Sequence, residues 1–150
     1  MMEEKYEPLK LSKQLCFPLY ACSREMIKLY KPWLDELGLT YTQYITMMVL
    51  WEHKAMTVKA LGQELFLDSG TLTPLLKKLE EKGLVVRHRD RNDKRTVHIS
   101  LTEKGQVAYH FHCSFLSAMA EAMQEGMSPG EREALQRGLE KLNHYFTEKE

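Results

Sequence analysis

Apolar residues at Leu11, Leu15, Leu19, Cys22, Met26, Tyr30, Trp33, Leu34 and Leu37 recur mainly in steps of three and four, the period of a helix packed along one side. The spacing predicts a helix over 11–37. Pro18 removes a backbone donor and crowds the carbonyl of Gln14, so a kink is expected beside Cys16. Gly38 stops the element. Thr40 and Gln43 make a capping-box pair that opens a second helix, Tyr41 to about Glu52. Met47, Met48, Val49, Leu50 and Trp51 within it are expected in the core. Thr57 can cap a third helix, Val58 to about Phe66. Asp68 or Ser69 can cap a fourth, about Gly70 to Lys82, which Gly83 ends.

The period then changes. Leu84-Val85-Val86-Arg87 and Thr96-Val97-His98-Ile99-Ser100 read as strands, and the polar segment His88 to Arg95 between them as the charged tip of a hairpin. Thr102 opens a long helix to about Glu125. Ser128-Pro129-Gly130-Glu131 supplies a Ser cap, a Pro at the first helical position and a Glu at the third, starting a last helix to about Phe146. The order predicts a mainly α fold with a small β-hairpin wing (α+β). The expected architecture is a winged helix-turn-helix over about 41–101, inside a single domain of residues 1–150. The outer helices, 11–37 and 102–147, carry apolar faces that this unit cannot cover. A second copy of the chain is the simplest cover, so a homodimer through the N- and C-terminal helices is expected.

Charge changes the picture. The formal net charge is zero, yet from Ser69 to Lys104 nine Lys/Arg stand against five Asp/Glu, a local +4. A basic stripe, more than the total, is what phosphate binding needs. The helix that begins Ser69-Gly70-Thr71-Leu72-Thr73-Pro74 has small hydroxyl residues in its first turn, which admit it to a major groove. Its amide end favours phosphate. Lys77 and Lys78 follow, and Leu72, Leu75, Leu76 and Leu79 face inward. The wing offers Arg89, Arg91, Lys94 and Arg95, and a wing tip can set an arginine in the adjacent minor groove. Double-stranded operator DNA is the expected partner.

Asp93-Lys94-Arg95, the following strand and Leu101-Thr102-Glu103-Lys104-Gly105 resemble the wing signature of MarR-type regulators. The resemblance implies that Arg95 enters the minor groove, that Asp93 holds it, and that the helix from Ser69 reads the major groove. Gln14-Leu15-Cys16-Phe17, Tyr20, Tyr30, Leu39 to Tyr44 and Leu65 to Lys77 are similar to the organic hydroperoxide regulator (OhrR) branch of that family. The resemblance implies a repressor released from DNA when Cys16 is oxidised by an organic hydroperoxide to a sulfenic acid. Tyrosines matching Tyr20, Tyr30 and Tyr41 surround the matching Cys in that branch, two of them from the partner subunit. Pro18 departs from the branch pattern.

The residues themselves leave Cys16 open between a small buried hydrophobe and a reactive thiol. Tyr20 is four residues on, where its phenol can donate to a thiolate, and a nearby helix start favours negative sulfur. Cys22 and Cys113 are possible secondary thiols. Six helical residues put Cys22 about 9 Å from Cys16, beyond disulfide reach. One subtype of the branch resolves the sulfenic acid with a partner-subunit Cys near the junction of the last two helices. The junction from Ala122 to Pro129 has no Cys, and Cys113 lies about three turns earlier. The other subtype forms a mixed disulfide with a small thiol or oxidises further, and this one-cysteine route is favoured.

Other signals carry less. His110, His112 and Cys113 converge poorly on a helix, so no metal is expected. No cofactor motif, phosphate loop or catalytic triad stands out, and no enzyme is expected. A thiol peroxidase needs an arginine near its thiol, and Arg24 is two turns from Cys16. Alternatives kept open are a repressor switched by a small aromatic ligand and a broader redox or virulence regulator using the same Cys. No run of about 18 apolar residues suggests a membrane span, and the start MMEEKYEPLKLSKQ is unlike a signal peptide, so a cytoplasmic location is expected.

Overall fold

The computed structural model describes residues 7–148, and the side chains at 111–114, 116, 117, 120, 123 and 124 lie outside the description. Six α-helices are described: α1 (Cys16–Leu37), α2 (Tyr41–His53), α3 (Val58–Leu65), α4 (Ser69–Glu81), α5 (Glu103–Gly126) and α6 (Pro129–Thr147). Three strands accompany them: β1 (Ala55–Thr57), β2 (Val85–Arg89) and β3 (Val97–Leu101). The chain divides after Tyr44 into two compact units.

In the first unit the helix expected from Leu11 begins instead at Cys16. Leu11–Lys13 is a 3-10 turn, and Gln14 is extended (φ −93°, ψ 116°), so the helical ladder cannot pass through it. Pro18 is therefore the third residue of α1. Its missing N–H is one that a helix start leaves unpaired anyway, so the expected kink has no cause. Gly38 closes α1 in the left-handed region (φ 63°), and Leu39 N donates to Leu34 O at 2.9 Å, burying both leucines. The predicted capping box opens α2: Gln43 N donates to Thr40 Oγ1 (3.3 Å) and Thr40 N to Gln43 Oε1 (3.1 Å).

In the second unit the expected hairpin is an antiparallel sheet of three strands, ordered β1-β3-β2. The extra strand is only three residues long, pairing Ala55 with Ser100 and Thr57 with His98, too short for an alternating pattern to show. β2 and β3 pair Val85 with Leu101 through Arg89 with Val97. Leu61, Leu72, Leu76, Leu79 and Ile99 are fully buried, as are Met47 and Leu50 of α2. Met48, expected in the core, is 36% exposed. It is one step of about 100° round the helix from Met47, whereas Leu50 returns to the inward face.

The base of the wing is tied by the Leu-Thr-x-x-Gly segment. Thr102 caps α5 by accepting from Gly105 N (3.1 Å), donates its own hydroxyl to Gly83 O, and sends its backbone N–H to Leu84 O (3.1 Å). A Cβ at Gly105 would sit 2.0 Å from Leu84 O, so only glycine lets α5 start this close to the wing. Trp51 Nε1 adds a 2.8 Å bond to Gly105 O. Ser128, Pro129 and Glu131 form the predicted capping box of α6. No described residue of α6 is buried, and Leu135, Leu139, Tyr145 and Phe146 are exposed. Among the described residues no helix is long and apolar enough to cross a membrane.

Candidate DNA interface and redox site

α4 is divided lengthwise by its leucines. Leu72, Leu75, Leu76 and Leu79 are buried, which turns Ser69, Gly70, Thr71, Thr73, Lys77 and Lys78 outward. Asp68 is the cap: its carboxylate accepts from Thr71 N (2.8 Å) and Thr71 Oγ1 (3.0 Å). The Thr71 amide holds the Asp68 carboxyl below its usual range. Thr73 Oγ1 donates to Ser69 O at 2.7 Å. Both threonine hydroxyl protons are thus committed within the helix, and what they offer outward is oxygen lone pairs. Such acceptors suit the exocyclic amino groups of adenine or cytosine.

The wing tip is folded by two carboxylates. Asp93 accepts from Arg95 N (3.0 Å) and Thr96 Oγ1 (2.9 Å), and its oxygen is 3.6 Å from Arg95 Nε. The Arg95 side chain is 95% exposed. Asp93 therefore shapes the backbone under Arg95 more than it grips the guanidinium. Sequence reasoning missed Asp90, which accepts from Asn92 N (2.7 Å), Asp93 N (3.1 Å) and, at 3.2 Å, pairs with His98 Nε2. Backbone amides hold both carboxyls low: first that of Asn92 for Asp90, first that of Arg95 for Asp93. The signal was an aspartate opening the run Asp90-Arg91-Asn92-Asp93, which is turn chemistry. Arg89, Arg91 and Lys94 are exposed beside the tip. Ser69 of α4 and Arg95 of the wing line one open groove of about 1100 Å³, with Phe66 and the end of α6 on its sides.

Sequence reasoning also missed Glu80. It counted Arg87 in the basic stripe, but Arg87 Nη2 lies 2.7 Å from Glu80 Oε2. That guanidinium holds the Glu80 carboxyl below its usual range.

The residues expected at the redox site are dispersed: Cys16, Tyr20 and Tyr30 along α1, and Tyr41 at the start of α2. Cys16 is the first residue of α1 and is exposed. Among the described residues no hydrogen bond joins Tyr20 to Cys16, and the Tyr20 ring instead lies under the Arg24 guanidinium (5.6 Å). Arg24 also pairs with Glu25 at 3.2 Å. Tyr30 and Tyr41 meet edge to face with centroids 5.2 Å apart, and Tyr44, which sequence reasoning gave no role, joins them at 5.7 Å from Tyr30. Burial raises all three phenols, so they stay protonated donors at neutral pH. Tyr30 is fourteen residues beyond Cys16 on one helix, about 21 Å of rise. Cys22 is exposed, 3.9 Å from Met26 Sδ. The Cys113 and His112 side chains lie outside the described residues.

The family described as Transcriptional regulator SarA/Rot matches residues 28–110. The organic hydroperoxide resistance transcriptional regulator of Bacillus subtilis (strain 168) is 58% identical over 106 residues, which span 71% of this chain and 72% of that protein. The chain belongs to the MarR-type winged-helix transcriptional regulators, in the organic hydroperoxide resistance branch. The HTH-type transcriptional regulator SarZ of Staphylococcus aureus (strain USA300) is 55% identical over 97 residues, 65% of this chain and 66% of its own length. Reduced AbfR bound to DNA superimposes with a TM-score of 0.71 at 36% identity, covering 95% of this chain and 99% of that one. AbfR, of Staphylococcus epidermidis, is also known as an overoxidized form bound to DNA (TM-score 0.71, 35% identity) and in a disulfide form (0.59, 37%). In this MarR-type regulator the matched residues 28–110 contain Tyr30, Tyr41 and the whole of α4, β2 and β3, while Cys16 precedes them.

Proposed function

We propose that two copies of this chain bind double-stranded operator DNA as a repressor, and that oxidation of Cys16 by an organic hydroperoxide releases it. The observation that carries the reading is a DNA-reading head, finished within one chain, together with an exposed thiol at the start of α1 that lies about 21 Å of helix rise from Tyr30 of the same chain. The B. subtilis relative is named for organic hydroperoxide resistance, and AbfR is found on DNA in its reduced form. Ser69, Gly70, Thr71, Thr73, Lys77 and Lys78 face the major groove, and Arg95, with Arg89, Arg91 and Lys94, the minor groove and its phosphates. Two such heads match half-sites about one DNA turn apart.

The chemical step is attack of the Cys16 thiolate on the distal peroxide oxygen. The S–O bond forms as the O–O bond breaks. The alcohol leaves as alkoxide and takes a proton from water, and the sulfur becomes a sulfenic acid. Tyr30 and Tyr41 of the partner, kept protonated by burial, donate to the negative sulfur before attack. A small thiol then condenses with the sulfenic acid to a mixed disulfide and water. Overoxidized AbfR is on DNA, which supports the bulkier disulfide, over added oxygen, as the releasing species. A second reading rests on a groove of about 520 Å³ lined by Tyr20, Ile27, Leu34, Leu39 and Tyr41, which suits a small aromatic ligand.

The test is a gel shift with a duplex that the reduced chain selects from a random-sequence pool. Cys16→Ser binds it as the wild type does but is not released by cumene hydroperoxide plus a small thiol. Peroxide release of that variant sinks the Cys16 reading, and its release by an aromatic carboxylate alone favours the second.

A further inference from the structure

The two reading elements enter different grooves, so the angle between them governs both contacts at once. β2 is an edge strand of the sheet, since the order is β1-β3-β2. An edge strand leaves outward N–H groups that need a partner or water. At Arg87 that partner is Glu80, in the last turn of α4. Glu80 Oε1 accepts from the Arg87 backbone N–H at 3.2 Å. Glu80 Oε2 accepts from Arg87 Nε at 3.1 Å and from Nη2 at 2.7 Å. One carboxylate thus holds the strand by its backbone and by its side-chain fork, and both side chains are about two-thirds covered (36% and 29% exposed). Every other basic side chain of the wing, Arg89, Arg91, Lys94 and Arg95, is exposed. Arg87 alone among them is turned back onto the recognition helix.

We propose that Glu80 and Arg87 are a positioning pair for operator binding: they fix the angle between α4 and the wing, and Arg87 is not a phosphate ligand. The proposal rests on the DNA-binding reading above. The pair links the C-terminal end of α4 to the wing strand whose far end is Arg89. Loosening it leaves the DNA-facing side chains of α4 in place but lets the wing tip swing away from its groove.

The test separates a clamp from a contact. A phosphate ligand tolerates lysine, whereas a forked clamp does not. The reduced full-length chain is titrated on the selected duplex across a salt series, as wild type, Arg87→Lys, Glu80→Gln and the double variant, with melting curves to confirm folding. Each single change is expected to weaken binding by roughly tenfold, about the loss of one wing contact. The double variant is expected to bind no worse than the weaker single. Hydroxyl-radical footprints keep the recognition-helix protection and lose that of the flanking minor groove. Wild-type affinity in Arg87→Lys overturns the proposal. So does additivity of the two changes. A Glu80→Gln chain too unstable to assay is replaced by Arg87→Met, for which a slope of log affinity against log salt lowered by about 0.9 with the flanking minor-groove footprint intact marks a phosphate ligand and overturns the clamp. A wild-type chain that selects no duplex removes the DNA reading itself, an outcome distinct from normal wild-type binding with indifferent variants.

Discussion

Between Asp68 and Gly105 the shaping groups close on neighbours in the same chain: Asp68 on Thr71, Glu80 on Arg87, Asp90 on Asn92, Asp93 on Thr96 and Thr102 on Gly83. Cys16 and the tyrosines follow the opposite pattern. The thiol is exposed at the start of α1; Tyr30 lies about 21 Å further along it and meets Tyr41 and Tyr44 of α2. The difference teaches where each property belongs. A reading head can be built from local bonds and is a property of the protomer. On the proposed reading the sensor needs a second copy, because Tyr30 lies about 21 Å along α1 from Cys16 of the same chain. The exposed Leu15, Phe17, Ile27 and Leu29 supply the apolar cover such a pairing would bury.

The largest break falls on the head. A Cβ at residue 105 meets the Leu84 carbonyl, so Gly105→Ala is expected to lower unfolding stability by about 3 kcal/mol in urea titration, at the upper end for overpacking. A stability equal to wild type would show that the wing base is not set by this close approach. Next, Arg95→Ala removes a wing cation whose side chain is 95% exposed. Operator affinity is expected to fall by about 1–3 kcal/mol, with cumene hydroperoxide still oxidising Cys16 at the wild-type rate. A slowed oxidation would mean that head and sensor are not separable. The smallest change is Asp68→Ala, which removes the α4 cap and is expected to lower the melting temperature by less than Gly105→Ala does. Asp68, Asp90 and Asp93 are held below their ordinary values when folded. Their contribution is therefore complete above about pH 4 and is lost as the pH falls further. The melting temperature should stay level from pH 7 to about 5, then drop below about pH 4, and less steeply in Asp68→Ala.

The same contrast explains how much could be read from sequence. Caps and periodicity place every helix end after Gly38 to within two residues, because Thr40, Thr57, Thr102 and Ser128 act on amides three residues away. The start of α1 was misread, since Leu11 continues the apolar period although the backbone at Gln14 does not. β1 was missed because its only reason to be a strand is β3, more than forty residues on. Within the head the outward positions of α4 followed from its leucines. Asp90, Glu80 and Arg87 did not, because their bonds depend on how the wing folds back. The family resemblance named Cys16, Tyr20, Tyr30 and Tyr41, whereas the separation of Cys16 from Tyr30 follows only once both are on one helix.

That separation gives the most direct measurement. Two defective chains, Cys16→Ser and Tyr30→Phe/Tyr41→Phe, are mixed, unfolded and refolded together, and sulfenic acid formation is timed by intact mass after cumene hydroperoxide. If each thiol is served by the partner's tyrosines, mixed dimers contain one complete site, and a fraction of the Tyr→Phe chains regains the wild-type oxidation rate. If oxidation of those chains stays as slow as in their own homodimer, the tyrosines do not act across the pair, and the sensor is not built between two copies.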